Sequence, residues 1–292
     1  PSIRSIGEAF VALIETSFDG NLASAIDVLV RLATAQMRSG ETHFAGVTYL
    51  NLANLLRAQG DSVRSLEAAD EAIDLLESSS AGPEVASALV ARGWALAQST
   101  GIEAASEAIS AANRWITPGL RWEITLESAE IETLYGSRER ASDHIADIER
   151  AREESPWATS QIDATRAQYE LRLGNFTVAE TLLAGIPISS PSSSTAHKAH
   201  VLALRAHLLV AAHSAEGPDA VAAAIRQARN QGAGFWLTYG EVLQAVAGSG
   251  DEMRRLVRAS SHKHLAALSA MAELTMPHLE SFSAAEMSAI GA

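Results

Sequence analysis

Few side chains of this chain are placed to do chemistry. Glu127 and Glu130 stand three residues apart, which puts both carboxylates on one side of a helix, where an acid/base pair is one option. Such a pair needs surroundings that split its two pKa values, and two glutamates on one helix surface have neither an apolar pocket nor opposed placement. His197, His200 and His207 share one side of a helix at spacings of three and seven. No carboxylate shares that face, and a metal needs a complete ligand set with a second shell, so solvated or helix-interface histidines are expected rather than ligands. Ser260 to Lys263 is the one Ser-x-x-Lys match and lacks its partner motifs. A phosphate-binding loop, an HExxH helix, a nucleophile elbow and a dinucleotide fingerprint are all missing from the sequence. Zero cysteines remove thiolate metal sites, disulfides and cysteine nucleophiles. The expectation is a protein that is not an enzyme and carries no cofactor and no metal.

What positions these residues is helix. Of 292 residues 56 are alanine and 5% aromatic, and β-branched residues are scattered singly, which disfavours sheets and predicts an all-α fold. Lys and Arg number 22 against 35 Asp and Glu, a formal charge of −13 that repels phosphate backbones and anionic lipid. Direct nucleic-acid binding and membrane association are therefore not expected of this chain. No stretch approaches the roughly 18 apolar residues of a membrane span. Pro1 to Gly7 has no signal-peptide pattern, so a cytoplasmic protein is expected, and the segment reads as a piece of something longer.

A turn signal recurs at Gly20, Gly60, Gly101, Gly136, Gly174 and Gly217, at intervals of 40, 41, 35, 38 and 43 residues. Five residues after each stands a small residue, Ala25, Ser65, Ser106, Ala141, Ala179 or Ala222, as close helix contact requires. Prolines such as Pro83, Pro118 and Pro156 fall between units, where they start or stop a helix. Each unit reads as helix, Gly turn, helix, linker. Trp115, Trp122 and Trp157 sit at or near linkers and are expected to plug junctions between units. Residues 235–247, 251–260 and 262–275 read as further helices, the middle one carrying Arg254, Arg255 and Arg258, and Phe235-Trp236 is placed to cover the end of the stack.

The string from Tyr49 to Asp61, followed by Ser65, Leu66, Ala69, Ala72, Ile73 and Leu75, resembles the tetratricopeptide repeat. Leu173-Gly174-Asn175-Phe176 with Ala179 and Leu183, and Gly20-Asn21 with Ala25, Ile26 and Leu29, resemble it too. The copies at Gly101, Gly136 and Gly217 are degenerate, the last two and the Gly174 unit having Glu132, His213 and Glu170 where the family has an apolar or aromatic residue. The resemblance implies a right-handed superhelix, an α-solenoid of about six helix pairs over residues 1–234, with helices at 235–280 closing the array. It also implies a concave inner face, presented by the first helix of each pair at thirteen, nine, six, three and two residues before the turn glycine. Those offsets select Asn51, Asn54 and Arg57; Arg92, Gln98 and Ser99; Glu123, Glu127, Glu130, Thr133 and Leu134; and Gln161, Thr165, Gln168 and Arg172. Asn51, Asn54, Arg57, Arg92, Gln98, Glu123, Glu127, Glu130, Gln168 and Arg172 are the candidate binding residues. The competing reading is that they are the solvated faces of amphipathic helices.

Residues 281–292 read as a linker and the start of a truncated helix-turn-helix domain. Ser283 to Glu286 form a capping box, with Phe282 and Met287 placed as a hydrophobic staple. The string Phe282 to Ile290 resembles the opening of the LuxR-type domain, without the Arg usual before its Glu. Val201 to Gly234 is similar to the last repeat of the large ATP-dependent regulators of the maltose-activator type. Together these resemblances imply a non-catalytic sensor and protein-interaction region of a bacterial LuxR-type transcriptional regulator, its nucleotide and DNA sites lying in other modules. A protein or peptide partner or a small-molecule inducer would occupy the concave face, and homo-oligomerisation is a further option. The alternative is a stand-alone tetratricopeptide scaffold or peptide-binding module in which Asn51, Asn54, Arg57 and Arg92 clamp a partner carboxylate.

Overall fold

Alanine and leucine favour helix at every turn of this chain, and the residues that interrupt them decide where each helix stops. The computed structural model describes residues 22–115, 117, 120–154, 158–188 and 195–248. Among them all regular structure is helical. Unit one, Pro1–Ile131, contains α1 (Leu22–Arg38), α2 (Thr42–Gln59), α3 (Ser62–Ser78), α4 (Gly82–Ser99), α5 (Ile102–Ala112), a short 3-10 turn at Asn113–Trp115, and most of α6 (Arg121–Tyr135). Unit two, Glu132–Ala292, contains the end of α6, then α7 (Arg138–Glu154), α8 (Thr159–Arg172), α9 (Phe176–Ala184), α10 (Thr195–Ala211), α11 (Gly217–Gln231) and α12 (Gly234–Ala247). The division falls inside α6. The expected helices at 251–260 and 262–275, the Ser260 to Lys263 match, the string Phe282 to Ile290, the Gly20-Asn21 turn and Trp157 lie outside the described residues.

One turn is used again and again. At Gly60 the chain enters the left-handed region (φ +81°), Gly60 N–H donates to Arg57 O (2.8 Å) and Asp61 N–H to Leu56 O (2.9 Å). This pair of bonds satisfies carbonyls that the helix end leaves open, and glycine takes the left-handed conformation without a Cβ clash. Asp61 then accepts from Arg64 N–H (3.2 Å) and caps α3. The same two-bond closure recurs at Gly40, Ser80, Gly174, His213 and Gly232, each with positive φ. Turns within pairs and turns between pairs are thus built alike, and residues of positive φ at 40, 60, 80 and 101 divide the first unit about every twenty residues.

A buried small residue is the fourth of α1, α3, α5, α7 and α9: Ala25, Ser65, Ala105, Ala141 and Ala179, all 0–2% exposed. Where one polar residue stands between glycine and helix, that position falls five after the glycine. At Gly101 the helix begins at once, so the position shifts to Ala105 and Ser106 is only half-buried. Gly217 departs further. It opens α11 instead of forming the turn, which His213 makes (φ +51°), and Val221 is buried while Ala222 is exposed.

In the first unit each of α1 to α5 packs against its sequence neighbour, and α2 also packs against α4, the next first helix. Ala45, Ala53, Ala69, Ala72, Leu29, Leu56 and Leu76 are buried between them. Backbones approach closely: a Cβ on Gly46 would sit 2.7 Å from Leu76 Cγ. In the second unit α8 packs against α10 and α10 against α12 besides their sequence neighbours, around Leu171, Leu183, Ile186, Val201 and Leu204.

Candidate functional site

Three helices of the first unit bring four of the ten candidates to one cleft. Asn54 and Arg57 come from the C-terminal half of α2, Glu123 and Glu127 from the start of α6, and Ser87, Val90 and Ala91 of α4 with Ile124 complete the lining around about 330 Å³ of open space. Arg57 Nη1 lies 2.9 Å from Glu127 Oε2, both side chains a quarter exposed. The Trp94 indole N–H donates to the same oxygen, and the Arg57 guanidinium rests over the Trp94 ring, 4.6 Å from its centroid. Carboxylate, guanidinium and indole thus anchor one another, a charge-assisted hydrogen bond and a cation–π contact sharing one arginine.

Glu123 precedes Glu127 by one helical turn. Partial withdrawal from water and the Glu127 charge push its carboxyl above the usual range, although much of the side chain remains open to solvent. Among the described residues neither Asn54 nor Glu123 makes a hydrogen bond or ion pair. The cleft therefore divides into a spent half, Arg57 with Trp94 and Glu127, and an unspent half, Asn54 with Glu123. It holds no thiol or hydroxyl nucleophile beyond Ser87, whose Oγ donates to Pro83 O (3.4 Å).

The other candidates lie elsewhere. Arg92 turns to α3, its Nε donating to Asp70 Oδ1 (2.7 Å), so the four-residue clamp with Asn51, Asn54 and Arg57 is not assembled. Gln98 is buried, and Asn51 and Glu130 are half-buried outside the cleft lining; Glu127 shares the cleft with Glu123, not with Glu130. In the second unit Gln168 is buried and its Oε1 lies 2.9 Å from His200 Nε2. Arg172 donates to the carbonyls of Glu132 (3.3 Å), Thr133 (2.8 Å) and Gly136 (2.6 Å), closing the C-terminal end of α6, where a cation also meets the negative end of the helix dipole. Burial and backbone capping occupy Gln98, Gln168 and Arg172, because a helix packed against several neighbours shows water only a narrow stripe. Glu132 is buried with Arg140 Nε 3.3 Å away.

The histidines form interfaces. His200 stacks on Trp236 (4.2 Å between centroids, 15° between planes), and His207 Nδ1 shares a hydrogen bond with Tyr239 Oη (2.7 Å). Burial pushes His200 down to about 3, helped by His197, and His207 down to about 4, while it pushes the Tyr239 phenol up. Among the described residues no three His, Asp or Glu side chains are grouped to hold a metal ion, and no helix is long and apolar enough to cross a membrane.

Trp94, which backs the cleft through its contacts with Arg57 and Glu127, is the residue that sequence offsets miss. It stands seven residues before Gly101, on the α4 face of Ser87, Val90 and Ala91, while the repeat offsets select Arg92 and Gln98. An aromatic three and four residues after small cleft-lining residues was the available signal. No protein-family model matches the chain, and neither does any curated protein.

Proposed function

We propose that this chain is a non-catalytic ligand- or partner-binding region built of tetratricopeptide-like helix pairs, wound as a right-handed superhelix, with the Asn54–Glu123 cleft on its inner face. The observation that carries the reading is the convergence of Asn54, Arg57, Glu123 and Glu127 from the first helices α2 and α6, with α4, the first helix between them in sequence, completing the lining. A surface of merely solvated helix faces would not fix a buried indole, a guanidinium and a carboxylate together while leaving two neighbouring polar groups unengaged. Packing of α2 on α4, α8 on α10 and α10 on α12 is the first-helix stacking that such an array needs.

The string Phe282 to Ile290 extends the proposal to a sensor region of a LuxR-type bacterial transcriptional regulator, in which occupancy of the cleft is passed to a DNA-binding module. Two tests separate the parts. Flanking sequence with an upstream phosphate-binding loop and a downstream helix-turn-helix supports the regulator; flanks with neither overturn it and leave the binding region standing. For the cleft, a reporter gene under the full-length protein should lose its response in Asn54→Ala at unchanged protein level. An unchanged response in that variant removes the cleft from the signal path.

A further inference from the structure

The unspent half of the cleft has a definite chemical preference. Glu123, Glu127 and Arg57 bring two negative charges and one positive, and the positive one is already committed to Glu127 and to the face of Trp94. An anion would meet two carboxylates and an arginine with little left to give, so this cleft does not offer the clamp on a partner carboxylate that the alternative reading requires. A guanidinium is also poorly served, because the aromatic face on which it would stack is covered by Arg57. What remains is acceptor capacity: both oxygens of Glu123, the amide oxygen of Asn54 and the second oxygen of Glu127, around a small open space. A compact head with three donors and one positive charge matches that set.

We infer that the cleft among α2, α4 and α6 receives a primary ammonium group, with the Glu123 carboxylate and Asn54 Oδ1 as its acceptors and the Arg57–Trp94–Glu127 cluster as a fixed wall. The inference rests on the binding-region reading above and names the ligand class for the same site. Neutralisation completes the local charge, and the field of a chain with formal charge −13 favours the approach of a cation. The Glu123 carboxyl, pushed above the usual range first by withdrawal from water and then by the Glu127 charge, would regain a partner for its charged form from a bound cation. The ammonium belongs either to a free alkylamine or to a lysine side chain of a peptide partner.

The Trp94 indole N–H reads the cleft directly, because its acceptor is Glu127. In the 292-residue chain labelled with 15N-tryptophan, its resonance is assigned by its loss in Trp94→Phe. Titration with n-butylammonium chloride and with a capped alanine-lysine-alanine peptide should shift that resonance saturably, with a dissociation constant on the order of 1 mM for so small a head group. Glu123→Gln and Asn54→Ala should each weaken binding by about tenfold, while Glu71→Gln on the exposed face of α3, which removes the same charge, should leave it unchanged. Tighter binding of the peptide assigns the ammonium to a peptide partner, and equal binding assigns it to a free amine. Equal weakening by Glu123→Gln and Glu71→Gln overturns the inference, since the attraction is then only global charge. A shift with sodium butanoate but not with butylammonium overturns the cation while the cleft remains a binding site. No shift with any probe overturns the ammonium assignment, and the reporter response of Asn54→Ala then decides separately whether the cleft binds anything at all.

Discussion

Glu127 holds two partners and Arg92 holds one, and the difference should show in stability. Glu127→Ala leaves the Arg57 guanidinium and the Trp94 N–H facing each other without an acceptor, which should cost about 1–3 kcal/mol because a partly buried donor loses both its bond and its water. Arg92→Ala removes a pair exposed by 37% and 51%, and such surface pairs contribute about 0–1 kcal/mol. Urea midpoints at constant slope measure both. The order Glu127 above Arg92 is the expected result, and the reverse order would dissolve the anchor. Asn54→Ala and Glu123→Gln should stay within ~0.5 kcal/mol of the parent, since neither residue makes a bond to lose. That separation of stability from binding lets the cleft be tested without unfolding the protein.

Helix ends offer a sharper contrast, because chemically different residues make the same turn. Gly60→Ala forces a Cβ into the left-handed region and should destabilise by about 1–2 kcal/mol, whereas Ser80→Gly, at φ +58°, should stabilise by about 0.5–1 kcal/mol. Thermal midpoints followed by circular dichroism decide; a neutral Gly60→Ala would mean that the turn relaxes. Within the helices, Leu183→Ala at 1% exposure should cost about 2–5 kcal/mol, measured in the same way. This scale also explains what was legible in the sequence. Gly60-Asp61 announces itself because a left-handed residue and a side-chain cap each select few residue types. Ser80 and His213 make the same closure without glycine, so two of these six turns carry no residue-type signal, and Gly217, which has the turn signal, opens a helix instead. The cleft was legible only in part for a related reason. Distance from a turn glycine fixes which residues share a face of one helix, but how far α4 is rotated about its axis depends on α2 and α5 packed against it. That rotation exchanges Arg92 for Trp94.

For the molecule as a whole, pH should act unevenly along the chain. Among the described residues the buried histidines are His200 and His207, both in the second unit. Both are held neutral well below the ordinary value of 6.5, at about 3 and about 4. Below pH 6.5 the unfolded chain takes up protons that the folded chain refuses, so stability falls with pH from 6.5 towards those folded values and is fully present above 6.5. By pH 5 the loss should reach about 2 kcal/mol per histidine, at about 1.4 kcal/mol per pH unit for each refused proton. Glu123 in the first unit has the opposite sign, its pKa being raised, so acid relieves that carboxyl instead of loading it. Single-tryptophan chains retaining Trp94 or Trp236 report the two units separately in urea. Between pH 7 and pH 5 the Trp236 midpoint should fall steeply while the Trp94 midpoint moves far less. His207→Gln should flatten the Trp236 pH dependence by about one proton, whatever it does to absolute stability, because the slope counts only groups that titrate differently in the two states. If the Trp236 slope survives the loss of His207 unchanged, proton uptake there belongs to other groups, and burial does not hold that histidine neutral.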